Sequence, residues 1–186
     1  LLSKDKYSFQ YGKIEVRARF PAGTGTWPAA WMLGDDIHTV GWPACGEIDI
    51  AEHVGRDLNK IYGTVHYPGR SGGNGDGRTI INPDATTEFH TYSVEWSASV
   101  IKFYVDTQVY HTVNNNGTLP FNHNFFILLN LAALVLERTS VRLALRWARR
   151  HGWNLRRALI VGAGRAGQDG LEPQHPHSFD PIEIDV

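Results

Sequence analysis

Gly46-Glu47-Ile48-Asp49-Ile50-Ala51-Glu52 sets three carboxylates into six residues between apolar partners. Ile48 and Ile50 alternate with Glu47 and Asp49, the period of a β-strand with one buried face and one face open to a cleft. Acids on that face are costly unless they are used. Side chains alternate, so Glu47 and Asp49 share a face while Glu52 points to the other. A β-bulge at Ile50 or Ala51 sets two residues opposite one and returns Glu52 to the side of Glu47 and Asp49.

With the bulge, the two glutamates behave like positions four apart on a regular strand. At roughly 3.3 Å per residue their backbones lie about 13 Å apart, and glutamates leaning inward by about 4 Å each leave about 5 Å between carboxyl groups. That is the separation of retaining glycoside hydrolysis, in which one carboxylate attacks the sugar while its partner carries a proton to the leaving oxygen. Asp49 between them can share a hydrogen bond with the nucleophile and hold a proton within the cluster. The same acids also suit a solvated strand edge or a calcium site.

Two stretches carry a family resemblance. GEIDIAEHVG (46–55) resembles the catalytic signature of glycoside hydrolase family 16 in its bulged ExDxxE form, and GTWPAAWMLG (25–34) is similar to its upstream companion in laminarinases. The resemblance runs from about Ser3 to Ala132. It implies that Glu47 is the nucleophile, Glu52 the general acid/base and Asp49 the assisting acid, that the substrate is a β-1,3-glucan cleaved internally with retention, and that no cofactor enters the chemistry. It also implies an all-β fold, an antiparallel β-sandwich of jelly-roll, concanavalin-like type. A glucan-binding module with impaired catalysis is the alternative.

Outward from the acidic strand, Ile14, Val16, Ala18 and Phe20 alternate with Lys13, Glu15, Arg17 and Arg19 as a half-buried strand. Trp27 and Trp31 are four apart, and indoles either fill sandwich cores or stack on sugar rings. The resemblance favours the cleft for both, with Trp42 of Gly41-Trp42-Pro43 as a third candidate. Residues 61–67 form a further strand, on which His66 either hydrogen-bonds substrate or tunes the acid, or is structural. Residues 68–84 are rich in Gly, Asn, Asp and Pro, a loop of the kind that rims a site. Residues 89–96, 100–106 and 109–113 form a meander. FFILLNLA (125–132) is an apolar run suited to a strand covered on both faces, its one polar member Asn130 a candidate for the cleft.

After Ala132 the character changes. Residues 133–167 hold eight arginines and one acid, and 168–186 hold five acids and no lysine or arginine. The first part reads as a basic amphipathic helix followed by LRRALIVGAGRAG (155–167), whose Gly162, Gly164 and Gly167 have the GxGxxG form. This stretch resembles the nucleotide-binding-like region of bacterial sugar-phosphate transferases, but Gly170 and Pro173 interrupt the helix a dinucleotide site needs. The division expected is therefore a family-16 sandwich over 1–132, incomplete at its amino terminus, and an atypical helical or irregular tail over 133–186. Residues 178–186 alternate as a closing strand, and the resemblance makes Asp185 a candidate ligand of a structural calcium.

The formal net charge of -1 over 186 residues gives no footprint for nucleic acid or an anionic membrane. Cys45 is the single cysteine, so no internal disulfide forms. The chain starts at Leu1 without methionine and reads as a fragment whose beginning, with any signal peptide, lies upstream. The expected protein is a monomer acting on a β-glucan polysaccharide in an extracellular or periplasmic setting.

Overall fold

A computed structural model describes residues 1–133 and 183–184. Among the described residues ten strands form two sheets: β1 (Gly12–Ala18), β2 (Thr26–Gly34), β3 (Glu47–Glu52), β4 (Lys60–His66), β5 (Asp76–Ile81), β6 (His90–Trp96), β7 (Val100–Val105), β8 (Gln108–Asn114), β9 (Phe125–Ala133) and β10 (Glu183–Ile184). One sheet runs β5-β4-β3-β2-β9 and the other β10-β1-β6-β7-β8. All pairings are antiparallel except the short β1–β10 pair. The sole α-helix among the described residues, α1 (Ile37–Val40), is one turn long.

Alternation in the sequence becomes the two faces of each sheet. Ile14, Val16 and Ala18 of β1 meet Tyr92 and Val94 of β6, Ile101 and Phe103 of β7, and the inner residues Met32, Ile48, Ile50, Ile61 and Val65 of the opposing sheet. Burying such side chains contributes roughly 1.5–3 kcal/mol each, against the conformational entropy of ordering them. The β6-β7-β8 meander has the order its turn signals indicate.

β3 lies at the centre of its sheet, and the bulge expected at Ile50 or Ala51 is present. Against β2, Asp49 pairs with Trp31 and Ala51 with Ala30, so Ile50 has no counterpart. Against β4, Ile50 and Ala51 together face Gly63. Both are fully buried, and Glu52 returns to the face of Glu47 and Asp49. Gly63 itself is required by space: a Cβ there would lie 2.2 Å from the Tyr110 hydroxyl, which reaches across the core from β8.

One expectation changes. The loop expected over 68–84 contains β5, because Thr79, Ile80 and Ile81 supply the β-branched residues that let Asp76–Ile81 pair with β4. The run 125–132, expected to be covered on both faces, is so covered over its first half; among the described residues β9 ends its sheet, bordered beyond β2 by the bridges Leu2 to Leu128 and Phe9 to Phe125. Its apolar continuity has a local cause. Phe125 enters the main core, while Phe126 and Leu128 join Leu33, Cys45 and Ile37 in a second cluster under α1. Farther along, Asn130 and Leu131 are exposed.

β9 extends to Ala133, one residue past the expected boundary. The expected basic helix and GxGxxG stretch lie outside the described residues, as does Asp185. Of the closing strand expected over 178–186, Glu183–Ile184 is described, parallel to Arg17–Ala18.

Candidate active site

β3 presents Glu47, Asp49 and Glu52 to one concave face, flanked by β2 and β4, whose cleft-facing residues the same alternation selects. On β4, Tyr62, Thr64 and His66 are partly buried between fully buried Ile61, Gly63 and Val65. Trp27, Trp42, Glu47, Glu52 and His66 line one cavity of about 550 Å³, walled beyond β4 by Gly75, Gly77 and Thr79. A smaller cavity of about 170 Å³ adjoins it, lined by Trp27, Ala29, Trp31, Asn130 and the three acids. Every sequence-derived site residue within the described part is therefore on this cleft.

Each glutamate is held by an indole. Trp27 donates its Nε1–H to Glu52 Oε1 at 3.0 Å, and Trp42 donates its Nε1–H to Glu47 Oε2. Trp27 and Trp42 remain 44% and 47% exposed, leaving ring surface open to a ligand. Trp31 has a different role: its indole N–H donates to Asn130 Oδ1 at 2.7 Å, and the Asn130 amide donates to the Trp27 carbonyl at 3.4 Å. Asn130 thus ties the two tryptophans of β2 to β9.

Asp49 is only 3% exposed and sits between the glutamates, with His66 Nε2 3.0 Å from its Oδ2. Burial first, and then the charge of Asp49, push Glu47 up to about 8, with the Trp42 N–H opposing the shift. Burial, followed by the charge of Glu52, raises Asp49 well above the usual carboxylate range. Burial also raises Glu52, opposed by the Trp27 N–H. Glu47 and Asp49 interact directly and both are raised, so the pair binds a proton more readily than free carboxyls do. When it resides on Asp49, Glu47 is an ionised nucleophile.

A carboxyl raised on folding binds its proton more tightly in the folded chain than in the unfolded one. Its contribution to stability is therefore whole below the unfolded value of 4.5 and is lost as pH rises through about 8. The urea midpoint of the wild-type chain is expected to fall relative to that of Glu47→Gln across this window. Parallel midpoints for the two chains would contradict the shift.

Glu47, Asp49 and His66 also offer ligand atoms within 4.8 Å of one another, the one such group found among the described residues. One imidazole nitrogen and two carboxylate oxygens suit a transition metal better than calcium, which prefers six to eight oxygens.

The sequence reading missed Tyr62, Thr64 and Thr79 in the cavity wall. For the first two the signal was available, since residues two and four before His66 on one strand share its face. Thr79 depends on the β4–β5 pairing, which sets it opposite Tyr62.

Residues 2–148 match the family model described as glycosyl hydrolases family 16. The chain belongs to this family. It is 40% identical over 141 residues to a glucan endo-1,3-beta-glucosidase of Cryptopygus antarcticus, covering 68% of this chain and 52% of that protein. It is also 40% identical over 146 residues to a beta-glucanase of Rhodothermus marinus, covering 71% and 51%. Among solved structures, the laminarinase catalytic domain of Thermotoga maritima superposes with a TM-score of 0.69 at 43% identity, over 71% of this chain and 57% of that one. The family-16 chain thus spans about half the length of these relatives.

Proposed function

We propose that this family-16 chain cleaves internal β-1,3 linkages of a laminarin-like glucan with retention of anomeric configuration. The observation that carries the reading is the bulge at Ile50 and Ala51, which returns Glu52 to the cleft face of Glu47 and Asp49. The printed names of the relatives, a glucan endo-1,3-beta-glucosidase and a laminarinase, support the β-1,3-glucan assignment.

Glu47 attacks the anomeric carbon as the bond to the leaving oxygen breaks, and Glu52 gives that oxygen its proton. The product of this step is a glycosyl ester on Glu47. Glu52, now ionised, takes a proton from water, whose oxygen attacks the same carbon and releases Glu47. Asp49 accepts and returns the proton it shares with Glu47 as the charge there is consumed and regenerated. Trp27 and Trp42 orient the two carboxylates and offer apolar faces to the sugar rings. The proposal includes an extracellular or periplasmic setting, where a polymeric substrate of this kind is met.

Reducing-sugar release from laminarin, with lichenan and agarose alongside, tests the substrate, and proton NMR of the first-formed anomer tests retention. Release from laminarin with the β-anomer appearing first is expected. A folded chain that binds laminarin and releases nothing is a glucan-binding module, and initial formation of the α-anomer would overturn the mechanism.

A further inference from the structure

The turn between β4 and β5 packs against His66 of the catalytic cluster at Gly75. This turn is tied internally: Gly75 N–H donates to the Gly72 carbonyl at 3.1 Å, Asn74 N–H to the Ser71 carbonyl at 3.1 Å, and Arg70 Nε–H to the Asn74 carbonyl at 3.1 Å, while Arg70 also pairs with Asp76 at 3.6 Å. Gly75 has φ -55 and ψ 155, a conformation open to any residue. Space, not backbone freedom, demands glycine here. A Cβ at Gly75 would lie 2.5 Å from Cε1 and 2.7 Å from Nδ1 of His66, and 2.7 Å from the Thr64 methyl.

His66 is consequently seated from two sides. Gly75 backs the Nδ1–Cε1 edge, and the Trp42 ring stands 6.0 Å away, centroid to centroid. Nδ1 is buried with no hydrogen-bond partner, while Nε2 is 3.0 Å from Asp49 Oδ2. A buried N–H without an acceptor is costly, so the single proton of a neutral ring belongs on Nε2, the nitrogen 3.0 Å from the carboxylate.

We infer that Gly75 is a positioning residue for hydrolysis: its missing side chain lets the β4–β5 turn press His66 onto Asp49, the acid that stands between Glu47 and Glu52. The inference rests on the roles proposed above for Glu47 and Asp49. A methyl at residue 75 drives the ring toward Trp42 and Asp49 or displaces the turn, and either movement alters the contact between His66 and Asp49 beside the two glutamates. Misplacement of about 1 Å near reacting groups costs up to roughly 100-fold in rate.

Gly75→Ala is therefore expected to lower kcat on laminarin by about 10- to 100-fold with KM changed less than about 3-fold, and to move the pH–rate profile. In a His66→Ala background the same substitution meets only the Thr64 methyl, and its cost is expected to be at least about 5-fold smaller than in the wild-type background. An equal loss in both backgrounds would overturn the inference, as would an unchanged kcat in Gly75→Ala. Should Gly75→Ala fail to fold, a folded His66→Ala/Gly75→Ala double variant supports the clash with the ring, and an unfolded double variant refutes it. Independently of any substrate, long-range nitrogen–proton NMR of the wild-type imidazole is expected to show the neutral ring protonated on Nε2. Protonation on Nδ1 would remove the premise, and absence of laminarin turnover in the wild-type chain would sink the proposed function without touching this measurement.

Discussion

Glu52→Gln is expected to lower laminarin hydrolysis by about 10³-fold or more, while leaving the first chemical step nearly intact on a substrate whose leaving group needs no proton. Glutamine keeps the acceptor oxygen for the Trp27 N–H, so the side chain stays in place and only its proton is lost. On a dinitrophenyl β-laminaribioside, Glu47 can still attack. Water then lacks its base, and the glycosyl ester accumulates. A burst of dinitrophenolate followed by a slow phase, with a glycosylated chain in the mass spectrum, is the result that identifies Glu52 as the acid/base. Equal losses on laminarin and on the activated substrate would instead assign Glu52 to binding or nucleophilic attack.

Glu47→Gln should abolish turnover on both substrates, with no burst, because no ester forms whatever the leaving group. A loss of about 10⁴-fold or more follows from removing one member of a set that acts as a unit. The outcome for stability should run the other way. Glu47 is raised by burial and by the Asp49 charge, so a neutral isostere relieves the like-charge crowding, and the variant is expected to be at least as stable as wild type at pH above about 8. Small anions give the complementary test. In Glu47→Gly, azide can occupy the vacated space and attack the activated substrate, giving an α-glycosyl azide by single inversion. Hydrolysis that survives in Glu47→Gln would refute the assignment outright.

Much of this site was legible because strand alternation is a local property of the backbone. Glu47, Asp49 and Glu52 can share a face only if one extra residue is inserted, and the pattern places it at Ile50 or Ala51, where Gly63 now stands opposite both. The same local rule yields His66 and, applied further, Tyr62 and Thr64. It fails at 76–81, where glycine and aspartate at Asp76 and Gly77 mask the β-branched end of the strand, and pairing with β4 decides the matter. At 125–132 it indicates that both faces are covered but not by what, since a continuous apolar run reads the same whether a second sheet or a helical turn covers its outer face.

What the amino-acid sequence by itself determined is the alternating architecture, the bulge and the identity of the three acids, all consequences of side-chain direction over a few neighbouring residues. Only the tertiary structure decided which indole holds which glutamate. Trp27 is 25 residues from Glu52, and Trp31 is 99 residues from Asn130. Strand order sets such contacts, and no local period encodes it. The same holds for Gly75, whose φ is unexceptional and whose necessity appears only when His66 is found against it. Excluded volume between segments that meet through sheet pairing is a property of the folded chain, and there the fine positioning of this site resides.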